Sequence, residues 1–227
     1  MSNYCIKYGR SERVKYISHL DFVRMFHRAV RRAGLPFVFS QGFNPHPIMT
    51  VAAPLSVGVT AEGEYMRAGF DTDADEAEIM RILNSALPDG FFVSAVKRAE
   101  GKEPDFNLIE RAEYIIDAEA AKPDLFSAQK LLGFPELIVM KKTKSGEKET
   151  DIRPLIYELE KGGQMSGNLG QMSGNLGLRL ICAAGNHATL RPEAVIAAIN
   201  KYQPDTGIGF FSVHRRALLD ADNKPLL

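Results

Sequence analysis

The proline-rich stretch "SQGFNPHP" (residues 40–47) carries three polar side chains that could contact a ligand: Gln41, Asn44 and His46. The prolines on either side of His46 fix their own φ angles and push the residue before each of them toward an extended conformation. Such a loop is stiff before it binds, so little conformational entropy is lost on recognition. The stretch predicts a recognition surface, although a purely structural turn would also explain it.

Basic residues recur at helical spacing shortly before this loop. Arg24, Arg28 and Arg31 (or Arg32) fall about one turn apart, so they share a face on which they could meet successive phosphates. A solvated face whose arginine stems cover apolar surface is the alternative. We expect the loop and the start of this helix to line one concave surface. The predicted substrate-binding residues are Lys15, His19, Arg24, Arg28, Arg31, Gln41, Asn44 and His46.

Three residues are candidates for catalysis. Asp151 and Arg153 stand two apart in "DIRPLI", where the arginine could hold a phosphate, and His46 could act as an acid or base. A local ion pair or turn is the alternative for Asp151 and Arg153.

We expect neither a metal nor a cofactor. His19 and His27 are eight residues apart rather than the four of a helical zinc pair, and the two cysteines share no ligand spacing. The phosphate-binding loop, the dinucleotide-binding glycine motif and the nucleophile elbow are also absent from the sequence.

The charges are balanced overall but separated along the chain. Lysine and arginine together number 28, as do aspartate and glutamate. Residues 7–32 hold eight basic side chains against two acids, whereas residues 61–80 hold seven acids against one arginine. Opposed poles of this kind can orient an approaching polyanion, or they are two ordinary solvated faces. The sequence has neither a long apolar run nor a signal-peptide pattern, so we expect a cytoplasmic protein.

The elements of the first half are predicted in the order β-α-β-β-α-β. Strands are expected at "YCIKYG", "PFVFS", "EYMRAGFD" and "GFFVSAVKR", and the second helix at "DADEAEIMRILNSAL". The first helix begins at Ser18, whose "SHLD" context is typical of a helix start, and Gly34 ends it. Its predicted buried stripe is Leu20, Val23, Phe26 (or Met25), Val30 and Ala33.

The second half repeats this plan less regularly. Strands are expected at "RAEYIIDAE", "LGLRLICAA" and "GFFSVHRR", and helices at "KPDLFSAQKLL" and "RPEAVIAAINKY". Between them lie a strand, an exposed charged loop, and another strand or short helix. A flexible Gly/Ser/Asn loop at 161–178 contains the heptapeptide "QMSGNLG" twice, at 164–170 and 171–177.

The two halves predict an α+β protein of two tandem ferredoxin-like (βαββαβ) units, at 1–105 and 106–227. "GFFVSAVKR" and "GFFSVHRR" each follow a helix and a Pro-Asp pair, so they are expected to be equivalent strands of duplicated units. The junction is expected at "EPDFNL" (103–108).

Residues 16–66 closely resemble the radical-SAM-associated protein family, a bacterial domain of unknown function. The likeness lies in "SHLD", "SQGFNPHP" and "PLSVGVTAEGEY", with weaker matches at "DIRPLI" (151–156) and "LRPEAVIAAI" (190–199). The duplicated heptapeptide departs from the compact family pattern. The resemblance implies a domain that occurs alone or joined to radical S-adenosylmethionine proteins, some with a cobalamin-binding region. It therefore implies a radical S-adenosylmethionine protein as partner. Radical S-adenosylmethionine chemistry is excluded for this chain itself, because the iron–sulfur cluster of such an enzyme needs three cysteines and the chain has two.

These patterns together predict a non-catalytic accessory protein that binds RNA or another anionic substrate for a radical S-adenosylmethionine enzyme. Two alternatives stay open. The protein could be an RNA-modifying enzyme in its own right, or a protein-docking module whose partner contacts the acidic segment. The aromatic signature of an RRM and the aspartate motif of pseudouridine synthases are both absent.

Overall fold

A computed structural model describes residues 2–99, 105–143, 146–162 and 175–227. The predicted Gly/Ser/Asn loop with its repeated heptapeptide, and the first residues of the predicted junction, therefore lie largely outside the described residues. Contacts within the chain divide it into two units. One consists of Met1–Leu108 together with Lys224–Leu227, and the other of Ile109–Asn223.

The first unit contains four strands and two helices among its described residues. In chain order they are β1 (Ser2–Arg10), α1 (His19–Arg32), β2 (Met49–Val51), β3 (Val59–Phe70), α2 (Glu76–Ala86) and β4 (Phe91–Arg98). The strands lie in the order β4-β1-β3-β2, and each pair of neighbours is antiparallel. Both helices pack on a core that includes Tyr4, Ile6, Phe70, Ile79 and Leu83.

Helix α1 begins and ends where the sequence predicts. The Ser18 hydroxyl accepts a hydrogen bond from the Asp21 amide at 3.2 Å and donates one to the Asp21 carboxylate at 2.8 Å, which satisfies an amide that a helix start leaves without a partner. At the other end Gly34 takes a φ of +71°. The Leu35 amide then donates to the Val30 carbonyl, a pairing that closes many helices.

The buried face of α1 differs from the predicted stripe. Phe22, Phe26, Ala29 and Val30 are buried, whereas Leu20 is 64% exposed. The placement of Leu20 in the core is therefore wrong. The other predicted members, Val23, Met25 and Ala33, are partly buried against the same core.

The segment 36–40, predicted as a strand, forms only isolated bridges. Phe37 pairs with Phe70, and Phe39 pairs with Pro47. Phe37 therefore lies beside β3, whereas Phe39 lies beside the returning chain, and this change of partner prevents a continuous ladder. The second strand of this unit is instead β2, which begins at Met49.

The second unit consists of eight further strands and helices among its described residues. They are β5 (Arg111–Ala120), α3 (Ala128–Leu132), β6 (Ile138–Thr143), β7 (Gly146–Asp151), β8 (Ile156–Lys161), β9 (Leu176–Ala183), α4 (Pro192–Tyr202) and β10 (Ile208–Leu219). One sheet has the order β10-β5-β9-β8 with antiparallel neighbours, and β6 and β7 pair as a separate hairpin. The predicted α+β class is confirmed.

The strands of the two Gly-Phe-Phe segments occupy similar places. β4 pairs antiparallel with β1, the first strand of its unit, and β10 pairs antiparallel with β5, the first strand of the other. The tandem ferredoxin-like arrangement itself stays a prediction.

Two predictions for the second unit are wrong. The helix expected over "KPDLFSAQKLL" is divided into a 3-10 turn at Pro123–Leu125 and the short helix α3, whose first turn is capped by Ser127. The expected charged loop contains strand β7, which pairs antiparallel with β6 along its whole length, Gly146–Asp151.

Within the described ranges, no helix combines the length and the apolar character needed to cross a membrane.

Candidate functional site

The 40–47 loop is closed at its base by hydrogen bonds. The Ser40 amide donates to the His46 carbonyl at 2.9 Å, and the His46 amide donates to the Ser40 hydroxyl at 3.1 Å. The same hydroxyl lies 2.9 Å from Nδ1 of the His46 ring. His46 is exposed, but one ring nitrogen is already engaged within the loop. The loop is therefore held in shape by its own residues.

The tip of this loop presents one aromatic and two amide side chains. Gln41 and Asn44 are exposed, and within the described part of the chain their side chains make no hydrogen bond. Between them Gly42 takes a φ of +126°, a conformation that favours glycine. Phe43 is fully exposed. Sequence reasoning named the polar residues of the loop and missed Phe43, although an aromatic beside Gly-Asn in a breaker-rich loop has no core to enter.

The four arginines of α1 differ in their surroundings. Arg24 lies 3.3 Å from the Asp21 carboxylate, and Arg32 donates to the Ala86 carbonyl at the end of α2. Arg28 and Arg31 are exposed, and neither guanidinium group has a hydrogen-bond or ion-pair partner among the described residues. The cations available to a ligand on this face are therefore Arg28 and Arg31, which lie one turn apart.

The start of α1 is occupied by other contacts. Lys15 lies 2.7 Å from the Glu12 carboxylate, and this ion pair raises the pKa of Lys15. The Lys15 carbonyl accepts a hydrogen bond from the Gly58 amide. His19 borders a small depression that includes Arg10 and Leu55. The start of the helix thus contacts the 55–58 segment.

Arg10 holds that segment in place from inside the unit. Its side chain is buried, and its guanidinium donates to three backbone carbonyls: Val59 at 2.9 Å, Ile17 at 3.0 Å and Ser56. The sequence counts Arg10 among the basic residues of a surface pole, but its charge serves the backbone around the start of α1.

The second half of α1, not its start, meets the 40–47 loop. A cavity of about 330 Å³ is lined by His27, Arg31, Leu35, Phe37, Phe39 and Pro47. Of the residues that the sequence predicted for a concave surface, only Arg31 lines this cavity, where it lies with Phe39 and Pro47 at the base of the loop. The sequence pointed to neither His27 nor Phe37 as a lining residue.

The ring of His27 belongs to the wall of this cavity. It meets the Phe37 ring edge-on, with centroids 5.4 Å apart and planes at 77°. Burial, and then the charge of Arg31, lower the pKa of His27. The imidazole is therefore neutral at neutral pH.

Asp151 and Arg153 are engaged with the backbone of the second unit. The Asp151 carboxylate accepts from the amides of Leu137 at 2.8 Å and Arg153 at 2.9 Å. The Arg153 guanidinium donates to the carbonyls of Leu132 at 2.9 Å and Ile156 at 3.4 Å. These bonds join the β6–β7 hairpin to the end of α3, as a structural turn requires.

The acidic segment also uses much of its charge internally. Glu64 is buried, Asp75 caps α2 by accepting from the Glu78 amide at 2.8 Å, and Glu76 accepts from the Arg98 amide at 2.7 Å. No group of three or more histidine, cysteine, aspartate or glutamate side chains is placed to hold a metal ion within the described residues.

Two arginines of the second unit, Arg179 and Arg216, are neutralised in a network across its sheet. Arg179 lies 2.7 Å from Glu113 and 2.8 Å from Glu158, and Arg216 lies 3.3 Å from Glu113. These acids raise the pKa of Arg179. These two guanidinium groups are therefore not available to an anion.

Residues 3–192 match the model of a family described as "Uncharacterized protein conserved in bacteria (DUF2344)". This range is most of the 227-residue chain. The chain belongs to the DUF2344 family. α1, the 40–47 loop and the cavity all fall inside the range that matches DUF2344, whereas β10 lies beyond it. The DUF2344 description states bacterial conservation and no activity, so the association with radical S-adenosylmethionine proteins stays a prediction.

No curated protein matches the chain. Among solved structures, one that is similar is "Crystal Structure of an Unknown Protein from Galdieria sulphuraria", with 16% sequence identity and a TM-score of 0.28 over 94% of this chain and 98% of that chain. A likeness of this size supports no inference about fold or function.

Proposed function

We propose that the protein is a non-catalytic accessory protein of the bacterial cytoplasm. It binds RNA, or another anionic substrate, through its first unit and presents it to a separate radical S-adenosylmethionine enzyme. The observation that carries the proposal is the pair Arg28 and Arg31. Both guanidinium groups are exposed on one face of α1, and neither is neutralised by a described residue.

An exposed aromatic side chain in the same unit as two unpaired arginines favours a single strand of RNA. Unpaired bases stack on aromatic rings in a way that tolerates sequence, while basic side chains follow the phosphates. Phe43 is fully exposed at the tip of a loop closed by its own hydrogen bonds. A compact inorganic anion would use the arginines and leave this ring without a role.

The partner class rests on the sequence resemblance of residues 16–66. Within it, "SHLD" forms the cap of α1 and "SQGFNPHP" forms the exposed loop. Both of the chain's cysteines, Cys5 and Cys182, are buried. An iron–sulfur cluster on three cysteines would therefore belong to the partner.

The enzyme alternative gains little from the geometry. His46 shares a hydrogen bond with Ser40, and Asp151 and Arg153 bond to backbone groups. We therefore leave these three residues outside the proposed site.

Protein docking is the second candidate, because apolar side chains are exposed near the start of α1. Tyr16, Leu20 and Val57 are 74%, 64% and 55% exposed. Tyr16 lies close to Gly58, which follows Val57 in the chain, so Tyr16 and Val57 are near one another. An apolar surface of a partner protein would cover such side chains.

Titration of a single-stranded RNA oligonucleotide at several salt concentrations tests the main proposal. Each phosphate contact releases condensed counterions, which gives a log–log slope of about −0.7 per contact for a single strand. The variant Arg28→Ala/Arg31→Ala is expected to flatten the slope by about 1.4, the contribution of two contacts. Its thermal stability should match that of the wild type, because exposed arginines contribute little to folding.

The matched control removes two exposed arginines elsewhere in the first unit, Arg13→Ala/Arg81→Ala. Both of these residues are paired with acids, Asp89 and Glu78. The control changes the net charge as much as the test variant, so an equal slope change in both would assign the effect to overall charge and remove α1 from the site. Absence of RNA binding at low ionic strength would contradict RNA as the substrate and favour protein docking.

A further inference from the structure

The cavity between α1 and the base of the 40–47 loop has walls made mostly of rings. His27, Phe37 and Phe39 supply three of them, and Pro47 adds a fourth. Leu35 completes the apolar lining. A volume of about 330 Å³ is at the lower end of the range for small-molecule sites, which suits a flat group of one or two rings.

The cavity carries a single formal charge, that of Arg31. His27 does not add a second one, because its ring nitrogen Nε2 is enclosed and has no hydrogen-bond partner among the described residues. A proton on this nitrogen would have neither water nor an acceptor. Burial, and then the charge of Arg31, lower the pKa of His27. The imidazole therefore acts as a neutral flat wall.

The best occupant combines a flat ring with a negative charge beside it. An inorganic anion would pair with Arg31 and leave the apolar walls unfilled. An apolar side chain would fill the walls and leave the guanidinium unpaired. A nucleobase attached to its phosphate matches both features, since bases stack on aromatic rings and arginine recognises phosphate.

We propose that this cavity receives one unpaired base, with Arg31 on the adjoining phosphate. This inference rests on the proposed function, because it names the feature of the nucleic acid that the same surface binds. The nucleotide could belong to an RNA strand or be free. Phe39 and Pro47 pair at the base of the loop whose tip carries Phe43, so a strand leaving the cavity has a second aromatic ring on the same loop.

The test compares three probes on the same variants: a single-stranded RNA oligonucleotide, an abasic strand of equal length, and adenosine 5′-monophosphate. Phe39→Ala is chosen because Phe39 is 48% exposed and its removal leaves the core intact. The variant is expected to bind RNA and the mononucleotide about tenfold more weakly, the size of one lost base–aromatic stack. Its salt slope should not change, because no charge is removed, and its affinity for the abasic strand should equal that of the wild type.

A control variant makes the result specific. Phe210→Ala removes a phenylalanine that is 66% exposed in β10 of the second unit and should bind all three probes normally. A wild-type affinity of Phe39→Ala for both RNA and mononucleotide, or an equal loss on the abasic strand, would overturn the base site.

The outcomes separate this inference from the proposed function. RNA binding whose salt slope depends on Arg28 and Arg31, but which ignores Phe39→Ala, keeps the proposed function and refutes the base site. Mononucleotide binding that is weakened by Phe39→Ala, without any RNA binding, keeps the site for a free nucleotide and refutes RNA as the substrate. Binding of neither probe refutes both.

Discussion

Replacing Arg10 by methionine is expected to lower the free energy of unfolding of the protein by about 3 kcal/mol or more, because hydrogen bonds from a charged donor are each worth about 1.5–3 kcal/mol. Methionine fills much of the same volume, but it leaves the carbonyls of Ile17, Ser56 and Val59 without this donor. Buried carbonyls that lose their partner carry a desolvation cost. Urea unfolding followed by circular dichroism measures the change.

Two other variants make the Arg10 result interpretable. Arg10→Lys keeps the charge but offers a compact ammonium in place of a planar fork, so its stability should fall between that of the wild type and Arg10→Met. Arg13→Met makes the same substitution at an exposed arginine with one ion pair, to Asp89 at 3.3 Å. It should change the free energy of unfolding by no more than about 0.5 kcal/mol. A loss for Arg10→Met as small as that of Arg13→Met would show that the guanidinium does not hold the 55–58 segment.

Replacing Phe26 by alanine is expected to cost about 3–5 kcal/mol, the usual range for a large side chain removed from a core. Phe26 is 1% exposed and packs beside Phe22, which stacks on Tyr8 with centroids 4.9 Å apart. The cavity left under α1 cannot close easily, because these neighbouring rings are fixed by one another. Thermal and urea unfolding measure the loss.

The same substitution at Phe43 is expected to leave the stability unchanged and to weaken RNA binding. Phe43 is fully exposed, so Phe43→Ala should leave the free energy of unfolding within about 0.5 kcal/mol of the wild type. Its affinity for single-stranded RNA should fall by about tenfold if the ring stacks on a base. Unchanged RNA affinity would remove Phe43 from the binding surface, and a large loss of stability would show that the loop tip is packed.

Helix α1 shows what local sequence can and cannot predict. Its two ends depend on residues close in the chain, the Ser18 cap and the left-handed Gly34, so both were predicted. Its buried face depends on rotation about the helix axis. Leu20 and Phe22 are both apolar, yet residues two apart point in directions roughly 200° apart. The position of the sheet determines which of them is buried, and Phe22 is the one that packs against it.

Strand β7 was missed because it lacks the usual signal of a strand. Strands are recognised by apolar residues that alternate along a half-buried surface. Residues 146–149 of β7 are exposed, and "GEKETD" contains no apolar residue. Pairing with β6 stabilises β7, and that pairing cannot be read from the sequence of β7 alone.

The candidate site was predicted in its parts but not in its assembly. The loop and the basic helix were both identified from residue types and spacing. Their meeting point was not, because it depends on how the chain turns after Leu35 and brings Phe37 and Phe39 against His27. Charge counts along the chain also treated Arg10 and Arg28 alike, although one is buried on backbone carbonyls and the other is exposed.

The burial of both cysteines has a practical consequence for covalent labelling. Burial raises the pKa of Cys5 to about 11 and that of Cys182 to about 12. The thiolate is the reactive form, so at neutral pH both native thiols are protected from maleimide reagents by protonation and by enclosure. A cysteine introduced at the exposed loop tip by Asn44→Cys would thus be the only fast-reacting thiol. A photo-crosslinker attached there would join covalently to whichever strand or protein touches the loop, without any native cysteine having to be removed first.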